Sequence, residues 1–159
     1  MSVSVQEADF DPGTEIAALS RGRDDVGAVA SFVGLVRADK AADTGVGATD
    51  DGAVAAMTLE HYPGMTEQAL EGIVAEARLR WDIFAVRVIH RIGRLLPGDR
   101  IVLVTVASAH RGEAFAACEF IMDYLKTRAP FWKKEETPGG GRWVDARTSD
   151  DDAAGRWNS

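Results

Sequence analysis

The chain has 159 residues, 46% of them hydrophobic, and carries 18 Lys and Arg against 25 Asp and Glu for a net charge of -7. That length suits one domain burying roughly two thirds of its unfolded surface, and the acidic balance argues against a broad nucleic-acid-binding face. A single cysteine, Cys118, excludes an internal disulfide and a cysteine-rich zinc site, and apolar runs such as 101–109 fall short of the ~18 to 20 residues of a membrane span.

Residues 1–15 are acidic and lack a basic segment followed by an apolar one, so no secretory leader is expected and the cytoplasm is the simple reading. The stretch "EIAALSRG" predicts a short helix ending at Gly22. "GAVASFVGLVR", 27–37, predicts a strand buried on both faces with Arg37 at its end. The Gly-, Asp- and Ala-rich segment 38–52 has little to bury and reads as a flexible loop.

A strand is expected over 53–62, then an amphipathic helix with Thr66 as its cap and Met65, Ala69, Ile73 and Ala77 on one face. The alternating segment 84–93, the turn "LLPGD" and the apolar segment "RIVLVTVASA" predict a hairpin. Ala114, Phe115, Cys118, Ile121, Met122 and Leu125 recur at steps of three and four, which predicts a helix over about 111–128 lying on the sheet. "FWKKEE" and "RWVDAR" read as two short strands around the turn "TPGGG", followed by a polar tail over about 148–159. Hairpins interleaved with helices favour an α+β sandwich over a doubly wound parallel sheet.

The charge distribution singles out one stretch. Three of the four lysines, Lys126, Lys133 and Lys134, lie in "LKTRAPFWKKEE", beside Pro130, Phe131 and Trp132. Cations set among rigid apolar residues suggest a pocket wall that holds an anion. Lys126 is placed at the edge of a buried helical face, where partial desolvation near other cations would favour an amine able to act as base or nucleophile, against the plainer reading of a helix-end lysine complementing the dipole. Strand alternation sets Lys133 on the face of Phe131 and turns Lys134 outward, toward Glu135 or Glu136. His110 and Arg111 fall where an apolar strand meets a helix N-terminus, a natural seat for an anion or simply a capped junction.

Arg37 could offer a bidentate fork, although a strand-end arginine is more often solvated. His61 and His90 lie on strands without metal-ligand spacing and read as structural, so no metal is expected; Cys118 reads as a small core residue. The glycines form no phosphate loop or dinucleotide fingerprint, so no nucleotide cofactor is expected.

The stretches "LEHYPGMTEQAL", "VIHRIGRLLPGD", "SAHRGEAF", "FIMDYLKTRAPFWKKE" and "RWVDAR" together resemble the large, catalytic subunit of molybdopterin synthase, in the same order from about Gly27 to Trp157. The loop after Arg37 looks longer than is usual in that family. The resemblance implies an α/β hammerhead-type fold within the α+β class, with an added small β subdomain. It also implies a homodimer, and a small ubiquitin-like sulfur-carrier subunit whose C-terminal Gly-Gly thiocarboxylate supplies sulfur. The substrate would be cyclic pyranopterin monophosphate, converted to the dithiolene of molybdopterin without a bound cofactor. Lys126 and Lys133 match the family's catalytic lysines, and Arg37, His110, Arg111, Lys134 and Glu135 its substrate-binding positions. A non-enzymatic module that docks a Gly-Gly tail, or an unrelated small-anion transferase, would share the same electrostatics.

Overall fold

The computed structural model describes residues 2–38, 54–137, 140–144 and 148–158. The loop expected over 38–52 falls, beyond Ala38, outside the described residues. Two four-stranded sheets carry the fold. The first runs in the order β1 (Val3–Gln6), β4 (Ala85–Arg91), β6 (Arg100–Ser108), β2 (Ala28–Leu35), with β1 parallel to β4 and the other pairs antiparallel. The second runs β5 (Gly93–Leu95), β3 (Ala56–His61), β7 (Phe131–Thr137), β8 (Gly140–Val144), antiparallel throughout. The expected hairpin of 84–93 with 100–108 is present, but its connection leaves the first sheet and pairs as β5 with β3 in the second. The α+β class, a hammerhead-type sandwich with a small second sheet, is thus as expected.

Helices α2 (Met65–Arg80) and α3 (Arg111–Arg128) cover one face of the first sheet. Leu70, Ile73, Val74 and Ala77 of α2 and Ala114, Ala117, Phe120, Ile121 and Leu125 of α3 pack on Val88, Val104 and Val106 in one continuous core. The stripe arises from apolar residues three and four apart in both helices. Helix α1 (Pro12–Ser20) starts earlier than expected because the Asp11 side chain accepts hydrogen bonds from the Gly13 N–H and the Thr14 hydroxyl, with Pro12 preset for the first turn. It lies against the opposite face of the sheet, where Phe10, Ile89 and Leu103 form a smaller cluster.

Three local expectations need correction. β2 is an edge strand, so it is not buried on both faces; Phe32 is 42% and Leu35 53% exposed. Thr66 does not cap α2, whose N-cap is Gly64 at φ 85°, and Met65 points to solvent. Thr66 is instead fully buried, its hydroxyl accepting from the Tyr62 N–H and donating to the Pro130 carbonyl, which fastens the start of α2 to the turn before β7. Third, the stretch read as a polar tail forms helix α4 (Thr148–Gly155) and a 3-10 turn at Arg156–Asn158. The turn plants Trp157 edge-on against Trp81 and Phe120, with ring centroids 5.5 and 5.6 Å away, and the indole N–H donates to Asp123 at 2.7 Å.

Gly27 shows how tightly β2 is seated. A Cβ there would lie 2.1 Å from the Ala109 carbonyl oxygen, so only glycine admits that approach. Because Trp157 closes the aromatic cluster between α2 and α3, Trp157→Ala is expected to lower stability by about 2 to 3 kcal/mol, measured by urea unfolding.

Candidate active site

The two sheets meet at a stacked pair of rings. Val86, Val88 and His90 alternate toward the core side of β4, and His90 lies flat on Phe131 of β7, with centroids 3.8 Å apart and planes at 19°. His90 is buried, and its Nδ1 sits 2.9 Å from the Arg91 carbonyl oxygen. His61 stands directly opposite Phe131 in the β3–β7 pairing and therefore shares its face, with its Nε2 3.9 Å from Glu67.

Lys133 follows Phe131 by two residues on β7, so it extends the same inner face, as the alternation predicts. Lys126 is exposed in the last turn of α3, three residues before the Ala129–Pro130 break that turns the chain into β7. The two lysines thus come from a helix end and the strand just after it, and the charges of both bear on His90. Burial is the main cause that pushes the His90 pKa down to about 3, and the charges of Lys126, Lys133 and His61 push the same way. His90 is accordingly neutral across the physiological range.

Arg37 is exposed and leaves β2 at this same end of the first sheet. Gly34, Val102 and His90 lie in one row across β2, β6 and β4, and Arg37 follows that row by three residues. Glu135 is buried on the inner face of the second sheet, 4% exposed, rather than pairing outside with Lys134. Lys134 faces outward as expected, its Nζ 5.9 Å from the centroid of the Trp143 ring, while Glu136 pairs with Arg94 at 3.1 Å.

His110 and Arg111 are at the other end of the molecule. They follow β6 beyond Ser108, which pairs with Ala28 at the far end of β2. Sixteen residue steps along the helix separate His110 from Lys126, about 24 Å at 1.5 Å per residue. One copy of the chain therefore sets Lys126 and Lys133 near His90, with Arg37 leaving the same end of the first sheet, and leaves His110 and Arg111 at the other end. The cleft of about 200 Å³ beside His110 is lined by Asp82, Ile83, Phe84, Ala109 and Glu113, two of which are carboxylates that disfavour an anion there.

Cys118 is buried against the first sheet, its thiol donating to the Val104 carbonyl, and burial followed by the Glu119 charge raises its pKa to about 11. It is a core residue, as its place in the helical stripe implies. His90 is structural, as its strand position implies: it is the one polar residue in the inward row Val86, Val88, His90, buried and with its Nδ1 paired to the Arg91 carbonyl. Among the described residues no cluster of His, Cys, Asp and Glu is arranged to hold a metal, and no helix is long and apolar enough to cross a membrane.

Two sheets joined by a histidine stack, with two lysines gathered at the joint, define an α+β protein with one cationic end to its main sheet. The chain belongs to the MoaE family, the molybdopterin synthase catalytic subunits: the family of the MoaE protein matches residues 5–128. A molybdopterin synthase catalytic subunit from Ralstonia nicotianae is 61% identical over 156 residues, covering 98% of this chain and 84% of its own. The solved structure of a molybdopterin biosynthesis MoaE protein from Burkholderia ambifaria superposes with a TM-score of 0.79 at 55% identity, over 99% of this chain and 98% of that one. A protein–protein complex of subunits 1 and 2 of molybdopterin-converting factor from Helicobacter pylori shares the fold, with a TM-score of 0.71 at 18% identity over 92% of each chain.

The neutral His90 makes the joint acid-sensitive. Its pKa is about 3 folded against 6.5 unfolded, so between these values the unfolded chain holds the extra proton and stability rises with pH. The contribution is complete above about pH 7 and is lost as the pH falls toward 3, at up to ~1.4 kcal/mol per pH unit. Urea unfolding of the wild type from pH 7 to 4.5 should show this added slope relative to His90→Phe.

Proposed function

We propose that this chain is the catalytic subunit of a molybdopterin synthase and acts in the cytoplasm as a sulfurtransferase. A small ubiquitin-like carrier brings sulfur as the thiocarboxylate of its C-terminal Gly-Gly. Two transfers to cyclic pyranopterin monophosphate form the dithiolene. The observation that supports this reading is that the charges of Lys126 and Lys133 both bear on His90, at the sheet end where Arg37 emerges.

The chemistry asks for such a place. The substrate phosphate and the carrier's terminal thiocarboxylate are both anionic, and attack at the carbonyl or the pterin develops further negative charge. Fixed cations beside a buried apolar wall stabilise that charge better than water does. In this reading Lys126 activates the substrate or the acyl intermediate, Lys133 assists proton transfer, and Arg37, His110 and Arg111 hold the phosphate. Lys134 and Glu135 flank Lys133 from the outer and inner faces of β7 and complete the binding set. Nothing is asked of Cys118, whose buried thiol is unsuited to carrying a persulfide.

The separation along α3 supports a homodimer, because His110 and Arg111 can join the lysines only across an interface with a second copy. The β2 edge, with Phe32 and Leu35 exposed, and the 65% exposed Phe115 one turn after Arg111 offer apolar surface for that contact. The carrier as partner is supported by the Helicobacter pylori complex of two subunits.

Reconstitution with thiocarboxylated carrier and cyclic pyranopterin monophosphate tests the activity. Dithiolene product detected by mass spectrometry is expected; carrier binding without product would favour a non-enzymatic docking module. Lys126→Ala should lower the rate by ~100-fold or more while leaving the unfolding midpoint unchanged. A shared site is tested by mixing and refolding Lys126→Ala and Arg111→Ala chains, each nearly inactive alone: random pairing should restore about a quarter of wild-type activity, since half the dimers then hold one intact site of two.

A further inference from the structure

We infer that His61 is a further catalytic residue of the lysine site: it takes the proton of the water that releases the carrier, and Glu67 stabilises the ring once it holds that proton. The turn between β3 and α2 brings the two side chains together. The Tyr62 N–H donates to the Thr66 hydroxyl, and the Thr66 and Gln68 N–H groups donate to the Tyr62 and Gly64 carbonyls. The Gly64 N–H donates to a Glu67 carboxylate oxygen at 3.2 Å, and that same oxygen is 3.9 Å from His61 Nε2.

The register of β3 on β7 sets what else His61 meets. His61 is opposite Phe131 and Leu59 is opposite Lys133, so His61 and Lys133 are diagonal neighbours on one sheet face. Such neighbours are about 7 to 8 Å apart at the backbone, within reach of long side chains. Glu135 lies two rungs beyond, opposite Met57 and about 13 Å along β7 from Phe131, so Glu67 is the carboxylate at the His61 end of the face. The His61 side chain is 16% exposed, so water can reach it. His90 is less suited, being buried, covered on one face by Phe131 and engaged at Nδ1 with the Arg91 carbonyl.

The role rests on the sulfur transfer proposed above. Once the carrier's sulfur has bonded to the pterin, the carrier is held as an acyl thioester. Water adds to the acyl carbon and gives one proton to His61. The acyl carbon–sulfur bond then breaks, sulfur stays on the pterin as a thiolate, and the carrier leaves as a carboxylate, its remaining hydroxyl proton passing to solvent. The step is a hydrolysis and needs no oxidant or reductant. A lysine ammonium has donors but no acceptor, so it can stabilise the thiolate but cannot take the proton of the water. Histidine takes and returns a proton near neutral pH, and a carboxylate a few ångströms away favours the protonated ring.

The test uses the reconstituted reaction and the scarcity of histidine. His61→Gln should lower kcat by ~100-fold or more with little change in KM for the pterin, and the carrier–pterin adduct should build up in intact-mass spectra. With three histidines in the chain, the His61 ring resonances are assignable by single variants. The charged and titratable groups around the joint are Glu67 of α2, Lys126 of α3, His90 of β4 and Lys133 of β7, and Glu67→Gln changes only the first while keeping an oxygen for the Gly64 N–H. In that variant the His61 titration midpoint should fall by about half a unit or more, and the acid limb of the kcat profile should move to lower pH with it. A folded His61→Gln chain that turns over like the wild type, or a His61 midpoint and acid limb unmoved in Glu67→Gln, would overturn the inference; His61→Asn supplies the same comparison should the Gln variant not fold. A wild type that makes no dithiolene sinks the proposed activity and this role with it, whereas a productive wild type matched by His61→Gln sinks this role alone.

Discussion

The stack of His90 on Phe131 is the contact on which the rest of the arrangement depends. His90 ends the inward row of one sheet and Phe131 begins the inner face of the other, and their rings meet 3.8 Å apart. Everything chemically interesting is indexed from that contact: Lys133 by strand alternation, Lys126 by the helix that ends just before Phe131, and Arg37 by the row across β2, β6 and β4. The Thr66 hydroxyl secures the same joint from behind by holding the Pro130 carbonyl. A buried polar side chain costs free energy unless its hydrogen bonds are met, and Thr66 meets its own twice over.

Charge explains why the joint is built from lysines in an otherwise acidic protein. Elsewhere the arginines are largely committed to carboxylates, as in Arg100 with Asp9, Arg128 with Glu76, Arg94 with Glu136, and Arg156 with Glu119 and Asp123. These exposed pairs add little stability one by one.

Much of this was legible in the chain itself. The helix over 111–128, the paired strands β7 and β8 and the opposed faces of Lys133 and Lys134 follow from periodicity, because the 3.6- and 2-residue repeats are local properties. The edge position of β2 was not legible, since an apolar alternating run looks the same whether a neighbour pairs with it or not. Trp157 looks like the end of a polar tail in the sequence because its partners, Trp81 and Phe120, lie far away along the chain. Thr66 misled for a related reason: a threonine beside a helix start is a common cap, and only the fold brings the Pro130 carbonyl to it. The residues of the candidate site were individually visible, but their division between the two ends of α3 is a matter of distance, and a sequence carries no distances.

Helix α3 therefore acts as a ruler with a fixed phase. Its first turn presents His110 and Arg111 and its last presents Lys126, so both spacing and angle between them are set by an unbroken run of eighteen residues. One residue added inside it would advance Lys126 by ~1.5 Å and swing it by ~100° off the joint. The loops of this protein have room to drift in length, whereas this rod does not.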